Sequence, residues 1–336
     1  MRVLVTGAGG FLGRHVVRAL HRRGHEVVAL LRPAADIAAI EAVEAVEGVR
    51  VARADLRAPA GLAGALDGVH AVVHLAAAVS GDEDAQFAAT VIGTERLLEA
   101  VAGSDVERFV LASSIAVYDW GSVDARLTED SPTVQDVDAL DRRGGYTVAK
   151  LWQERLTRRA AEQQGWELTI LRPGFIWAAG REPLAGIGQT LGPLLLVLGP
   201  RRPLPITYVE NCAERFAQAV DIPAAAGRTL NVIDPDTVSA WRFATEYLRR
   251  SRADGRCVPV PYRLGRAIAQ LAGLTSRTAF GPGGRLPSIL TLEHFEARFK
   301  PLDFPSERLR SVFRGPAPLT FAESLDLAYP RRADQR

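Results

Sequence analysis

The chain has 336 residues, 47% apolar and 24% charged, with a formal net charge of +2; this is the composition of a globular protein with a sizeable core, in one large domain or about two. The charge is too small to point to a nucleic acid, and the run Arg249-Arg250-Ser251-Arg252 reads as a solvated helix end. Two cysteines, Cys212 and Cys257, imply no disulfide framework and no metal cluster, while the absence of a signal-peptide stretch or a continuously apolar window argues against a membrane and makes a reducing cytoplasm the simplest location.

In chain order, short apolar runs alternate with amphipathic segments. The first run, Arg2–Thr6, leads into Thr6-Gly7-Ala8-Gly9-Gly10-Phe11-Leu12-Gly13 and a helix expected over Gly10–Arg23, with Phe11, Val16 and Leu20 on its inner face. Gly7, Gly10 and Gly13 are spaced GxxGxxG. The first allows a tight turn, the second lets the backbone approach a pyrophosphate, and the third lets the helix lie close to the strand. The helix N-terminus offers amide N–H groups and a positive dipole end to phosphates. Glycines that follow a strand and open an amphipathic helix are the context that marks a dinucleotide site. The second run, Glu26–Leu31, ends at Arg32, where an NAD site usually has an acid for the ribose hydroxyls. Arg32 can pair with a 2′-phosphate, which favours NADP(H) over NAD(H); the plain alternative is an ordinary exposed arginine.

Further strands are expected at Val49–Ala52, Ala71–Leu75 and Arg108–Ser113, with a helix over Glu83–Val101 that turns Phe87, Val91, Leu97 and Leu98 inward. The stretch Gly144-Gly145-Tyr146-Thr147-Val148-Ala149-Lys150 opens a helix from about Tyr146 to Gln164, followed by a strand at Glu167–Leu171. Tyr146 and Lys150 lie one turn apart on one helix face. An ammonium near a phenol favours the phenolate and lowers its pKa from about 10, giving a proton donor usable near neutral pH. Apolar strands alternating with helices mean an α/β fold, a Rossmann-type doubly wound parallel sheet with its ligand at the carboxyl ends of the strands. After Arg172 the pattern loosens, with helices expected at Asn211–Val220, 237–251, 262–273 and 288–298. Residues 1–173 are expected to form the dinucleotide-binding domain, with segments such as 206–235 returning to it, and residues 174–330 mainly a smaller substrate-binding lobe.

Several motifs in this order resemble the extended short-chain dehydrogenase/reductase family, also called the NAD-dependent epimerase/dehydratase family. Thr6–Gly13 resembles its TGxxGxxG turn. Asp55-Leu56 is similar to its Asp-Leu pair beside the adenine, and His74-Leu75-Ala76-Ala77 to the HLAA segment closing the fourth strand over the cofactor. Ser113-Ser114-Ile115-Ala116-Val117-Tyr118 is similar to SSxxVY, Tyr146 to Lys150 to YxxxK, Leu171-Arg172-Pro173 to LRP beside the nicotinamide, and Tyr208-Val209-Glu210-Asn211 to the segment that starts a helix near the substrate lobe. The resemblance covers at least residues 1–220, with a weaker likeness at Phe304–Leu309. It implies that Ser114 hydrogen-bonds the substrate oxygen, that Tyr146 donates or accepts the proton, and that Lys150 lowers the Tyr146 pKa and holds the nicotinamide ribose. It also implies cofactor contacts at Gly7, Gly10, Phe11, Leu12, Gly13, Arg32, Asp55, Leu56, Leu75, Ala76, Ala77, Pro173 and Ile176, and a possible homodimer through the helices at Glu83–Val101 and Tyr146–Gln164. Two features depart from the pattern: Thr90 stands where many members carry Asn, and Asp119-Trp120 where many carry Gly. Trp120 either lines the substrate mouth or caps a loop, and His74 is read as structural rather than as a base.

Ser114 is followed by Ile115-Ala116 rather than Asp-Glu, which argues against dehydration. The absent second-strand acid and the apolar stretch from Leu184 to Leu198 favour a small, largely apolar carbonyl or secondary-alcohol substrate and hydride exchange with NADP(H), as in the 3β-hydroxysteroid dehydrogenase and dihydroflavonol reductase branch. The alternatives are a nucleotide-sugar epimerase with tightly bound NAD(P), for which Arg201 and Arg202 would hold the diphosphate, and an NADP(H)-sensing protein without turnover.

Overall fold

Alternation of side chains along β1 (Arg2–Thr6) sets the layers of the fold: Val3 and Val5 enter one core and Leu4 the other, and all three are fully buried. A strand buried on both faces in this way sits inside a parallel sheet covered by helices. A computed structural model of the chain describes residues 1–35, 41, 43, 46–58, 61–78, 82–135, 145–251, 254–280 and 292–330. Gly144, the first glycine of the pair before Tyr146, lies outside the described residues.

The main sheet also contains β2 (Glu26–Leu31), β3 (Arg50–Arg53), β4 (Ala71–His74), β5 (Arg108–Ala112), β6 (Glu167–Pro173) and a late strand, β11 (Thr229–Val232). Its spatial order is β11-β6-β5-β4-β1-β2-β3, with every neighbouring pair parallel. Strand order reverses beside β1, between β4 and β2, which makes the crevice there the natural ligand site of a doubly wound sheet. On one face, helix α1 (Gly13–Arg22) packs Val16, Val17 and Leu20 into a core shared with Phe216 of helix 209–221. Arg23 ties the two helices with bonds to Glu214 (2.8 Å) and Asp221 (2.6 Å). After the short helix α2 (Leu62–Ala65), the opposite face is covered by Gly93–Val101 and by the long helix Gly145–Gln164.

The helix expected over Glu83–Val101 has three parts: α3 (Glu83–Phe87), a π-helical turn at Ala88–Ile92, and α4 (Gly93–Val101). The π turn rotates the register between the two ends. Val91, Leu97 and Leu98 face inward as expected, but Phe87 is exposed. Asp82 caps α3 by accepting from the Ala85 amide at 2.7 Å.

The segment after Arg172 is more regular than its prolines and glycines suggested. It forms β7 (Phe175–Trp177), helix α6 (Leu184–Ile187), β8 (Gly188–Leu191) and β9 (Leu194–Leu198). Strands β8 and β9 are an antiparallel hairpin turned at Gly192-Pro193, and β10 (Ile206–Tyr208) pairs with β7. The apolar run is therefore a packed hairpin: Leu195 and Val197 join a core with Trp177, Tyr208, Phe243 and Phe321, while Leu191 and Leu194 at its tip are exposed. Trp120 is buried against Phe304, with its indole N–H donating to the Ile115 carbonyl at 3.2 Å, so it belongs to a small core and not to a substrate mouth.

Helix α5 (Gly145–Gln164) is anchored to β6 by an ion pair inside the protein. Arg172 donates to Glu154 at 2.8 and 2.7 Å, with both side chains only 6% exposed, and its guanidinium carbon lies 4.7 Å from the centre of the Tyr118 ring. Burial pushes the Glu154 carboxyl up, but the Arg172 hydrogen bonds and charge outweigh it and leave its pKa below the usual range. A depressed carboxyl pKa contributes stability that is present above about pH 4.3 and lost as pH falls through the folded-state value. Glu154→Gln leaves a buried guanidinium without its countercharge, for which we expect a loss of about 3–5 kcal/mol at pH 7 in chemical denaturation. The gap should close as the wild type is taken below pH 4; a loss under about 1 kcal/mol at pH 7 would show that the pair does not anchor the helix.

Candidate active site

The carboxyl ends of β4, β5 and β6 meet the first half of α5 through His74, Ala112 and Arg172, with Thr6 of β1 joined to them through His74. At the glycine turn, Gly7 has φ +68° and lies against the β4 end, where an added Cβ would come 2.9 Å from the Ala76 amide nitrogen. A Cβ on Gly13 would overlap the Gly7 carbonyl, so α1 can start this close to β1 only with glycine there. The α1 N-terminus has no side-chain cap and no acid in its first turn. The Arg14, His15 and Val16 amides bond the Gly10 and Leu12 carbonyls, so what the turn offers an anion is the positive end of the helix dipole and the close backbone approach at the glycines, and this cradle fits a dinucleotide diphosphate. Phe11 and Leu12 are half-buried at this turn, with the guanidinium carbons of Arg14 and Arg181 6.0 and 5.8 Å from the Phe11 ring centre. Sequence reasoning did not single out these two arginines; Arg181 comes from the loop after β7, whose approach to the turn has no local signal.

Arg32 is exposed at the end of β2. Asp55, after β3, is bonded by Arg57 at 2.7 Å; the Arg57 hydrogen bonds, aided by the charges of Arg57 and Arg32, hold its carboxyl well below the usual range. Leu56 packs into the lower core beside Gly93. Leu75, Ala76 and Ala77 are half-buried where β4 ends, tied to β1 by Leu75 N–H to the Thr6 carbonyl and Ala76 N–H to Thr6 Oγ1, each 3.3 Å. Pro173 is buried at the end of β6 and Ile176 half-buried on β7.

Ser114 is half-buried just past β5 and caps a 3₁₀ turn, its Oγ accepting from the Ala116 amide at 3.1 Å. Tyr146, half-buried in the first turn of α5, shares a hydrogen bond with Ser114. Burial pushes the Tyr146 phenol up from its ordinary value of 10, and the Ser114 bond only partly opposes this. The expectation that Lys150 lowers it is not met. Lys150 Nζ instead donates to the Ala112 carbonyl at 2.6 Å and to Gln153 Oε1 at 2.8 Å. Burial brings the Lys150 ammonium down to about 7, with the Glu154 charge opposing. An ammonium has three N–H donors, so one is left after these two bonds.

His74 is fully enclosed and not poised as a base. Its Nδ1 lies 2.6 Å from Thr6 Oγ1 and its Nε2 2.9 Å from Thr94 Oγ1; burial, with the Lys150 charge, lowers its pKa to about 3, so the ring is neutral. Thr90, on the π turn, accepts from the Ala78 amide at 3.0 Å and offers its carbonyl to Thr94 Oγ1 at 2.6 Å. A threonine here thus does hold a polar contact to the chain leaving β4. Of the two arginines considered for a substrate diphosphate, Arg201 is exposed and Arg202 is buried. Arg202 donates to the Leu198 carbonyl (2.9 Å) and the Gly186 carbonyl and lies over Phe299. Among the described residues, no cluster of metal ligands is present and no helix is long and apolar enough to cross a membrane.

The sequence profile of the NAD dependent epimerase/dehydratase family matches residues 3–186. Among curated proteins, the chain is 34% identical to cinnamoyl-CoA reductase 1 of Oryza sativa over 52% of this chain and 52% of that protein. It is 30% identical to dTDP-4-dehydro-6-deoxy-D-allose reductase of Streptomyces bikiniensis over 78% of this chain and 87% of that protein. Among solved structures, a short-chain dehydrogenase/reductase superfamily protein from Agrobacterium tumefaciens with bound NAD superposes with a TM-score of 0.69 at 24% identity, over 98% of this chain and 96% of that one. A parallel sheet of this order, a glycine turn at its switch point and a matching profile over more than half the chain lead to one conclusion: the chain belongs to the NAD dependent epimerase/dehydratase family, the extended short-chain dehydrogenases/reductases.

Proposed function

We propose that the protein is an NADP(H)-dependent oxidoreductase that interconverts a carbonyl and a secondary alcohol on a small, largely apolar molecule, with Tyr146 as the general acid/base. The observation that carries the reading is the convergence of Ser114, Tyr146 and Lys150 beside the glycine turn. When bound, the nicotinamide supplies or receives the hydride. The residues of this chain do the rest. Ser114 holds the substrate oxygen. Tyr146, whose burial keeps the phenol protonated, gives its proton to that oxygen in reduction and takes it back in oxidation. Lys150 spends its remaining N–H on the nicotinamide ribose, and its charge then offsets the negative charge that develops on Tyr146. Residues 174–330, apart from segments such as 206–235 that return to the nucleotide domain, are mainly the substrate-binding lobe in this reading.

Reduction is favoured over epimerisation of a nucleotide sugar because Arg202 is engaged by two carbonyls and an aromatic ring, which leaves no buried guanidinium at that segment for a diphosphate. Both curated relatives described above are also named reductases. Pairing of two chains belongs to the same proposal: Phe87, Ile92 and Trp152 stand exposed on α3, the π turn and α5, and a solution mass twice that of the chain is what it requires.

Two variants test the site. Tyr146→Phe should keep NADPH affinity and lose about two or more orders of magnitude in turnover of apolar aldehydes and ketones; full activity would rule out its role as acid/base. Arg32→Ala should weaken NADPH binding, measured by fluorescence titration, by roughly tenfold or more while NADH changes little. Equal losses for the two cofactors would sink the 2′-phosphate assignment.

A further inference from the structure

Gln153 follows Lys150 by three residues on α5 and is wholly buried. Its Oε1 accepts from Lys150 Nζ at 2.8 Å. Its Nε2 lies 2.8 Å from Thr94 Oγ1, 3.0 Å from His74 Nε2 and 3.2 Å from the Ala76 carbonyl. These partners settle which way the amide faces. Flipping it would set the NH₂ group against the ammonium and the oxygen against a carbonyl. Thr94 uses its own hydrogen on the Thr90 carbonyl and is therefore an acceptor for Gln153. One connected path thus runs from Thr6 on β1 through His74 on β4 and Thr94 on α4 to Gln153, Lys150 and the Ala112 carbonyl on β5.

Composition adds a second observation. Of the 41 Lys and Arg residues, only Lys150 and Lys300 are lysine. A chain that otherwise uses arginine for its cations keeps at 150 a compact ammonium, whose three donors point apart and whose charge its surroundings can adjust.

We propose that Gln153 is the positioning residue for Lys150: it holds the ammonium between itself and Ala112 so that the remaining N–H is presented to the dinucleotide ribose, and it couples that donor to the end of the glycine-turn strand. The inference rests on reading Lys150 as a cofactor contact. The groups around Lys150 are Tyr146 and Glu154 on its own helix, Arg172 of β6 behind Glu154, His74 of β4, Thr94 of α4 and the Ala112 carbonyl of β5. Glu154 is the one anion among them. A carboxylate at 153 would add a second anion in direct contact and hold the proton on Lys150 to higher pH. An apolar side chain there would remove a polar partner of the ammonium and release it to higher-energy positions.

The test is ¹³C NMR of the full chain labelled at the lysine ε-carbon, which gives two side-chain signals. Lys300, bonded to the Trp120 and Gly121 carbonyls at 3.0 Å each, serves as the internal control. Without cofactor, Gln153→Glu should move the Lys150 titration up by about one pH unit or more, and Gln153→Leu should move it down, with Lys300 unchanged. Gln153→Leu should also weaken NADPH binding by about tenfold or more. If Gln153→Leu does not fold, the upward shift in Gln153→Glu carries the test. Unchanged Lys150 titration in the variants that fold, alongside weakened NADPH binding in Lys150→Ala, would overturn the role of Gln153 alone. Unchanged NADPH binding in Lys150→Ala would instead overturn the reading of Lys150 as a cofactor contact.

Discussion

Helix Gly145–Gln164 turns polar residues inward: Lys150, Gln153 and Glu154 are all buried on it. A buried polar group must be paired, because leaving one unpaired costs more than most hydrophobic contacts return. That constraint organises the whole site. Glu154 must meet Arg172 on β6, Lys150 must meet the end of β5, and Gln153 must meet Thr94 and the Ala76 carbonyl after β4. Each pairing fixes the helix against a different strand end. Together they leave little freedom in where Tyr146, one turn before Lys150, can stand.

The same constraint explains the electrostatics. Burial lowers the Lys150 ammonium and raises the Tyr146 phenol, so in the cofactor-free chain the two groups are drawn towards their neutral forms. The intuitive picture of a lysine that depresses a nearby tyrosine does not describe this state, because Lys150 is turned to Ala112 and Gln153. In the proposed mechanism Lys150 would hold the cofactor ribose with its third N–H and Tyr146 would face the substrate oxygen, and the coupling between the two residues would arise there.

The strands of the main sheet were legible in the sequence because each is a short apolar run bounded by glycine or polar residues; β1 and β2 lie at the expected residues and β3 to β6 differ only at their ends. The glycine turn and the Tyr146–Lys150 spacing were legible because both depend on local geometry. The π turn was not, since Phe87 and Val91 are spaced as in a continuous helix and the bond that holds this turn to the chain leaving β4, from the Ala78 amide to Thr90, joins residues twelve positions apart. The apolar stretch Leu184–Leu198 pointed only to an apolar substrate, and its place in a three-stranded sheet was not legible because the pairing of β9 with β12 (Arg256–Val260) joins residues some sixty positions apart. Gln153 passed unnoticed for a similar reason: nothing local distinguishes a buried glutamine from a solvated one, and apart from Lys150 on its own helix the groups it meets come from the end of β4 and from α4, more than fifty positions away.

The most direct measurement is to trace deuterium from NADPH labelled at the transferring position of the nicotinamide into the products of a small-molecule extract, analysed by mass. The account predicts that NADPH is consumed and that one metabolite gains two hydrogens, one of them the deuterium, carried on a new carbinol carbon. Interconversion of isomers without net loss of NADPH, or NADPH that binds and passes its label to nothing, would contradict it.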